Sequence, residues 1–208
     1  MRVLMNGSVG SVVVLMVAAG MMACGAGSSG KPFRYTPLPR SPFPEAPKTI
    51  EITSSAFAYG EEIPKRYTCQ GVDISPPLSW DSVPEKAVTL MLVVEDPDAP
   101  DPAAPRMTWD HWIVYDIPAS ETGLIEAVSE GKAFPPGTQL GLNSWKRHNW
   151  GGPCPPRGRH RYLFRIFALD TRLGPSPSRR GPTKKQLYAR AKGHVLAQGL
   201  LVGTYAKK

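Results

Sequence analysis

Apolar and polar positions alternate through Thr49-Ile50-Glu51-Ile52-Thr53, the period of a half-buried β-strand. Val88-Thr89-Leu90-Met91-Leu92-Val93-Val94 is apolar on both faces and predicts a central strand. His111–Ile117 and Tyr162–Leu169 read the same way, and Gly199–Tyr205 closes the set. These runs are rich in β-branched and aromatic residues and are bounded by Pro, Gly, Asp or Ser. One segment reads as helix, from Thr183 to about Ala197. Thr183 and Gln186 have the spacing of a capping box, Pro182 stands just before them, and Leu187, Ala191 and Val195 fall on one face. No internal repeat is visible. The pattern predicts a mainly β fold, a sandwich with peripheral helices, one of them near the C-terminus.

Upstream of the first strand the composition changes twice. Residues 1–24 combine an early positive charge, Arg2, with the apolar run Val12–Ala19 and then Met21-Met22-Ala23-Cys24. That run is too short to span a bilayer and has the layout of an export signal. A cysteine in this position resembles the lipobox of bacterial lipoproteins, although Met22 stands where a small residue is usual. Lipidation of Cys24 implies an anchor on a membrane that the chain does not span; the alternative is ordinary secretion with cleavage nearby. The expected location is the exported bacterial cell envelope. Residues 25–48 are Gly/Ser-rich to Gly30 and then carry six prolines between Pro32 and Pro47, which reads as a tether. The folded domain is expected over 49–208.

Composition narrows the partners. A chain of 208 residues favours one domain plus appendages, and 41% hydrophobic content supplies a core. The 20 Gly and 23 Pro point to turns and structured loops rather than long helices. A net charge of +8 suits acidic partners such as phospholipid head groups, phosphorylated ligands or envelope polymers. Arg179-Arg180 and Lys184-Lys185 are too sparse for a nucleic-acid patch and read as a solvated face. If Cys24 is lipidated, Cys69 and Cys154 remain, either as one disulfide or as two buried thiols; the sequence leaves both open. Two thiols without a close pair predict no structural zinc, and no other metal or cofactor is expected.

Two proline-stiffened loops carry the candidate chemistry. Asp96-Pro97-Asp98-Ala99-Pro100 follows the Val88–Val94 strand directly. Its prolines restrict φ, and side chains at i and i+2 of an extended segment point the same way. Both carboxylates then face one pocket, or one turns inward to accept from backbone amides. His111 begins the next strand after Trp109. His160 and Tyr162 share a face at the start of another strand. Gly151-Gly152 and Gly158 admit close backbone approach and present N–H groups. Two imidazoles, a phenol and free amides suit a phosphate or carboxylate oxygen. If both imidazoles grip an anion as cations, affinity weakens as pH rises through their pKa values. His148 and His194 read as structural.

These residues carry a resemblance. The D-P-D-A-P segment at 96–100, Trp109-x-His111-Trp112-x-Val114-Tyr115, and Gly152-Pro153-x-Pro155-Pro156-x-Gly158-x-His160-Arg161-Tyr162 resemble the signatures of the phosphatidylethanolamine-binding protein family, also called the Raf kinase inhibitor protein family. Tyr67-Thr68-Cys69-x-Gly71, Ser75-Pro76-Pro77-Leu78-Ser79-Trp80 and Gly193-His194-x-Leu196-Ala197-Gln198 resemble its bacterial branch. The similarity runs in order over about residues 49–206. It implies an antiparallel, Greek-key-like β-sandwich with an anion pocket at one end. It implies Asp96, His111, His160 and Tyr162 as pocket residues, with Ala99, Trp109, Gly152 and Pro153 as walls and Asp98 as a structural brace. The implied ligands are phosphate-bearing groups, including phosphoethanolamine; an unidentified protein partner, as for an inhibitor, is the alternative. Two departures stand out: a short stretch between Gly158 and His160, and an insertion at Asp101–Arg106 before Met107. No serine sits in a nucleophile elbow, and no H-E-x-x-H spacing occurs, so an enzyme is not expected.

Overall fold

The computed structural model describes residues 36–128, 134–176 and 180–207. The export segment with Cys24, and the tether as far as residue 35, lie outside the described residues. Among the described residues the strands are β1 (Glu51–Thr53), β2 (Leu78–Asp81), β3 (Thr89–Asp96), β4 (Trp109–Pro118), β5 (Gly123–Leu124), β6 (Gln139–Leu140), β7 (Arg159–Leu169) and β8 (Val195–Ala206). One helix, α1 (Lys184–Ala191), precedes β8. The strands form two antiparallel sheets, one ordered β1-β2-β5 and the other β6-β4-β3-β7-β8.

β3 is buried at every position because β4 and β7 flank it and both of its faces are covered. Leu90, Leu92 and Val94 point inward with Trp112, Phe164 and Ile166, and meet Ile52, Leu78, Trp80 and Leu124 of the small sheet. Met91 and Val93 point outward with Ile113, Tyr115 and Phe167, where Leu187 and Ala191 of α1 cover them. Each large side chain so buried contributes roughly 1.5–3 kcal/mol. The five strands read from the pattern are all present. The pattern missed β2, β5 and β6, two of which are only two residues long.

The helix begins as its capping box predicts: Thr183 Oγ1 accepts from Gln186 N at 3.4 Å, and Gln186 Oε1 accepts from Thr183 N at 2.9 Å. It ends six residues before the expected Ala197. Gly193 takes φ +85°, a left-handed conformation that stops the helix, and the chain turns into β8. Val195, expected on the helix face, pairs with Leu169 in the sheet. A strand of twelve residues pairing along β7 satisfies far more backbone groups than one further helical turn.

The tether reading also needs correction over its described part. Residues 36–47 lie against the domain rather than leading away from it. Phe43 packs edge-on to Phe167 and Tyr188, at 5.1 and 5.4 Å between ring centroids. Gln198 Nε2 donates to the carbonyls of Phe43 and Ala46, at 2.9 and 2.6 Å. Proline content reads as spacer in a sequence, yet the same prolines leave a chain of carbonyls with few N–H groups of its own to satisfy.

Cys69 and Cys154 are joined by a disulfide across a sequence separation of 85 residues. It ties the loop after the short 3₁₀ turn Lys65–Tyr67 to the loop before β7, and Cys69 N also donates to Pro153 O at 3.2 Å. Closing so long a loop restricts the unfolded chain, so reduction is expected to cost about 2–4 kcal/mol. Urea unfolding of oxidised and reduced protein measures this; coincident midpoints would show that the bond adds no constraint.

Candidate ligand-binding site

Three strand ends meet at one end of the large sheet. Asp96 closes β3 opposite Trp109 of β4, and on the other side Glu95 pairs with Leu163 of β7, close to His160 and Tyr162. Strict alternation along β4 would turn His111 outward with Ile113 and Tyr115. A β-bulge prevents this. Val94 pairs with Trp112 and Glu95 pairs with Asp110, so His111 is the extra residue on β4. A bulge re-aims a side chain, and here the imidazole lies edge-on to the inward-facing Tyr162 ring at 5.1 Å.

The two carboxylates of the D-P-D segment divide their work. Asp98 is fully buried and turns away from solvent. It accepts from Arg161 N at 2.9 Å, Arg161 Nε at 2.8 Å and Arg161 Nη2 at 2.5 Å. Its own amide donates to Asp96 Oδ1 at 2.8 Å, which orients the first carboxylate. Asp96 Oδ2 meets His160 Nδ1 at 2.7 Å.

The two histidines differ in protonation. His160 Nε2 faces the carbonyl of Arg157 at 2.9 Å, so that nitrogen donates. Burial pulls the His160 pKa down, but the hydrogen bond and charge of Asp96 outweigh it and the net shift is upward. His160 is therefore an imidazolium with both N–H groups engaged. His111 Nδ1 donates to Gly151 O at 2.5 Å. Burial dominates there and lowers the pKa, against the opposing pull of that carbonyl and of Asp96. His111 is neutral near pH 7, and its Nε2 is an acceptor with no partner among the described residues. The expectation of two cationic imidazoles does not fit this arrangement.

A cavity of about 430 Å³ opens here. Asp96, Ala99, Trp109 and His111 line it, as do Pro100, Met107, Trp145, Cys154, Pro155 and Pro156. His160 and Tyr162 stand behind this wall, fully buried, and Gly152 and Pro153 are likewise buried outside the lining. The glycine amides are engaged: Gly151 N donates to His111 O, and Gly152 N to Asp73 Oδ1 at 2.7 Å. A Cβ on Gly152 would come within 2.4 Å of Tyr67 O, so glycine there serves close loop packing. Two buried donors near the cavity, Trp109 Nε1 and the Tyr162 hydroxyl, have no hydrogen-bond partner among the described residues. The insertion forms a turn in which Arg106 N and Met107 N both donate to Ala99 O, setting Met107 at the mouth. Another cavity, of about 600 Å³ between Phe134–Leu140 and Pro182, shares no lining residue with this one.

Sequence reasoning missed Trp145, whose ring lies 5.1 Å from His111 and 5.3 Å from Trp109. Buried Asn143 shapes its loop, accepting from Trp145 N and Arg147 N at 3.0 Å. An Asn two residues before a Trp was the available signal.

The sequence profile of the family described as phosphatidylethanolamine-binding protein matches residues 53–206. The chain belongs to this family. A UPF0098 protein of Methanothermobacter thermautotrophicus is 42% identical over 158 residues, 76% of this chain and 99% of that protein. The crystal structure of CT736 from Chlamydia trachomatis, a putative phosphatidylethanolamine-binding protein homolog, superposes with a TM-score of 0.68 at 42% identity. It covers 77% of this chain and 99% of that one. Escherichia coli YbcL, described as a new member of the mammalian PEBP family, gives 0.68 at 30% identity over the same shares. The family fold is consistent with ligand binding, and in this member the site has no metal-ligating cluster among the described residues.

An imidazole raised by its carboxylate partner stabilises the fold fully below its unfolded pKa and loses that contribution as pH rises through the folded one. In an NMR titration His160 should keep its proton above pH 6.5, the ordinary histidine value, and His111 should lose its proton below it. Asp96→Asn removes the largest upward influences on His160 and leaves burial opposed only by the Arg157 carbonyl and the Asp98 charge, so its midpoint should fall. An unchanged His160 midpoint in that variant would refute the assigned pair.

Proposed function

We propose that this family member binds a phosphate-bearing head group of the phospholipid type in the cavity closed by Asp96, Ala99, Trp109 and His111. The observation that carries the reading is the placement of His111: Gly151 O holds its Nδ1, Nε2 has no partner among the described residues, and the ring lines the cavity. An anion entering there favours the protonated ring, so binding draws one proton onto Nε2 or retains one on the phosphate. Trp109, Trp145, Met107 and Ala99 offer an apolar surface for the carbon part of a head group. Trp109 Nε1 is a buried donor with no partner among the described residues. Among the described residues the cavity lining is apolar apart from Asp96 and His111, and its Cys154 is in a disulfide. The reading extends to location: an exported domain anchored through Cys24, for which the export-like segment and the disulfide are the support.

Calorimetry with phosphoethanolamine and inorganic phosphate across mildly acidic to alkaline pH tests the site. The lowered pKa of free His111 and its higher value beside an anion define the window. Between them affinity should fall as pH rises, approaching about tenfold per pH unit, and His111→Gln should leave only the dependence that the phosphate's own ionisation imposes. Affinity independent of pH, or of His111, would overturn the reading. For the anchor, mass spectrometry of native protein should find an acylated Cys24 at the mature N-terminus. Cys24→Ser should shift the protein from membranes to the soluble fraction; an unmodified Cys24 would argue against it.

A further inference from the structure

The outer face of the large sheet carries buried donors that the sheet itself satisfies only in part. Arg161 and Arg165 of β7 and Gln198 of β8 are each no more than 6% exposed. Their remaining acceptors come from the segment 36–47. Arg161 Nη1 donates to Thr36 O at 2.6 Å and Nη2 to Thr36 Oγ1 at 3.1 Å. Arg165 Nη2 donates to Pro39 O at 2.8 Å, while its Nε holds Glu95. Gln198 takes the next two carbonyls, and Phe43 fills the apolar gap between Phe167 and Tyr188. The family match begins only at residue 53, so this strap lies outside the shared domain.

One end of the strap reaches the binding site through two side chains. Thr36 holds the far side of the guanidinium whose near side holds Asp98. Asp98 holds Asp96 through its amide, and Asp96 and the adjoining Ala99 line the cavity. We propose that the seated strap is a built-in positioning segment for the ligand site. By fixing Arg161 it keeps the Asp96–Ala99 loop in its binding geometry, and ligand affinity falls when the strap leaves the sheet. A guanidinium held on both sides has little freedom, and a preorganised loop loses less entropy on binding. The affinity readout rests on the head-group reading above; the loop readout does not.

The test uses the full chain with Phe43→Asp, which places a carboxylate among Phe167 and Tyr188 and unseats the strap far from the cavity. Hydrogen exchange should rise in 36–47 and, by about tenfold or more, at Asp98 and Ala99, while residues 162–168 stay protected. Affinity for phosphoethanolamine should weaken about tenfold. A released strap with an unchanged 96–100 loop and affinity within about twofold of wild type would overturn the proposal. If Phe43→Asp opens the whole domain, Gln198→Ala releases the two distal carbonyls more gently and is judged by the same two readouts. If wild-type protein binds neither phosphoethanolamine nor phosphate, the head-group reading fails, and exchange at Asp98 and Ala99 alone decides the strap.

Discussion

Asp98 and Arg161 meet where β3 ends and β7 begins, with neither side chain open to water. Removing one partner from such a pair costs about 3–5 kcal/mol because it strands a buried charge, although the intact pair adds little net stability. Its consequence is positional. Three donors of one arginine converge on one carboxylate, so the D-P-D turn has a single place to sit. Asp96, oriented by the Asp98 amide, then points at His160 rather than into solvent. The wall of the cavity follows from that turn.

The same constraint settles the charge of the site. Asp96 and His160 neutralise each other, as do Asp98 and Arg161, and burial leaves His111 uncharged. The chain's surplus of positive charge is therefore not concentrated at the cavity floor. Glu95 repeats the pattern on the outer face, where Lys184 and Arg165 overcome burial and hold its pKa down. With the fixed charges balanced, the open nitrogen of His111 is the group whose state an incoming ligand can change.

Much of the fold was legible in the chain. The strand at Val88–Val94 needed only its two-sided apolar pattern, and α1 needed only Thr183, Gln186 and Pro182. Asp96, Ala99, Trp109 and His111 stood out through proline-bounded motifs and do line the cavity. Other readings failed for physical reasons that spacing does not carry. His111 sits on its side of the sheet through a bulge that depends on β3 pairing. His160 has no donor to offer because a carbonyl three residues away and a carboxylate 64 residues away take both. Trp145 reaches the cavity through a loop that Asn143 folds, and no periodicity marks it.

Local pattern by itself determined where five of the strands run, where the helix starts and which residues are chemically able to form a site, because those properties arise from neighbours within a few positions. Tertiary structure alone decided which imidazole is charged, that His160 and Tyr162 stand behind the cavity wall, and that a proline-rich segment lies on the sheet. Each depends on partners distant in sequence and on burial, which sets the cost of leaving a donor unpaired. Only the folded chain brings Thr36, Asp98 and Arg161 into one hydrogen-bonded set.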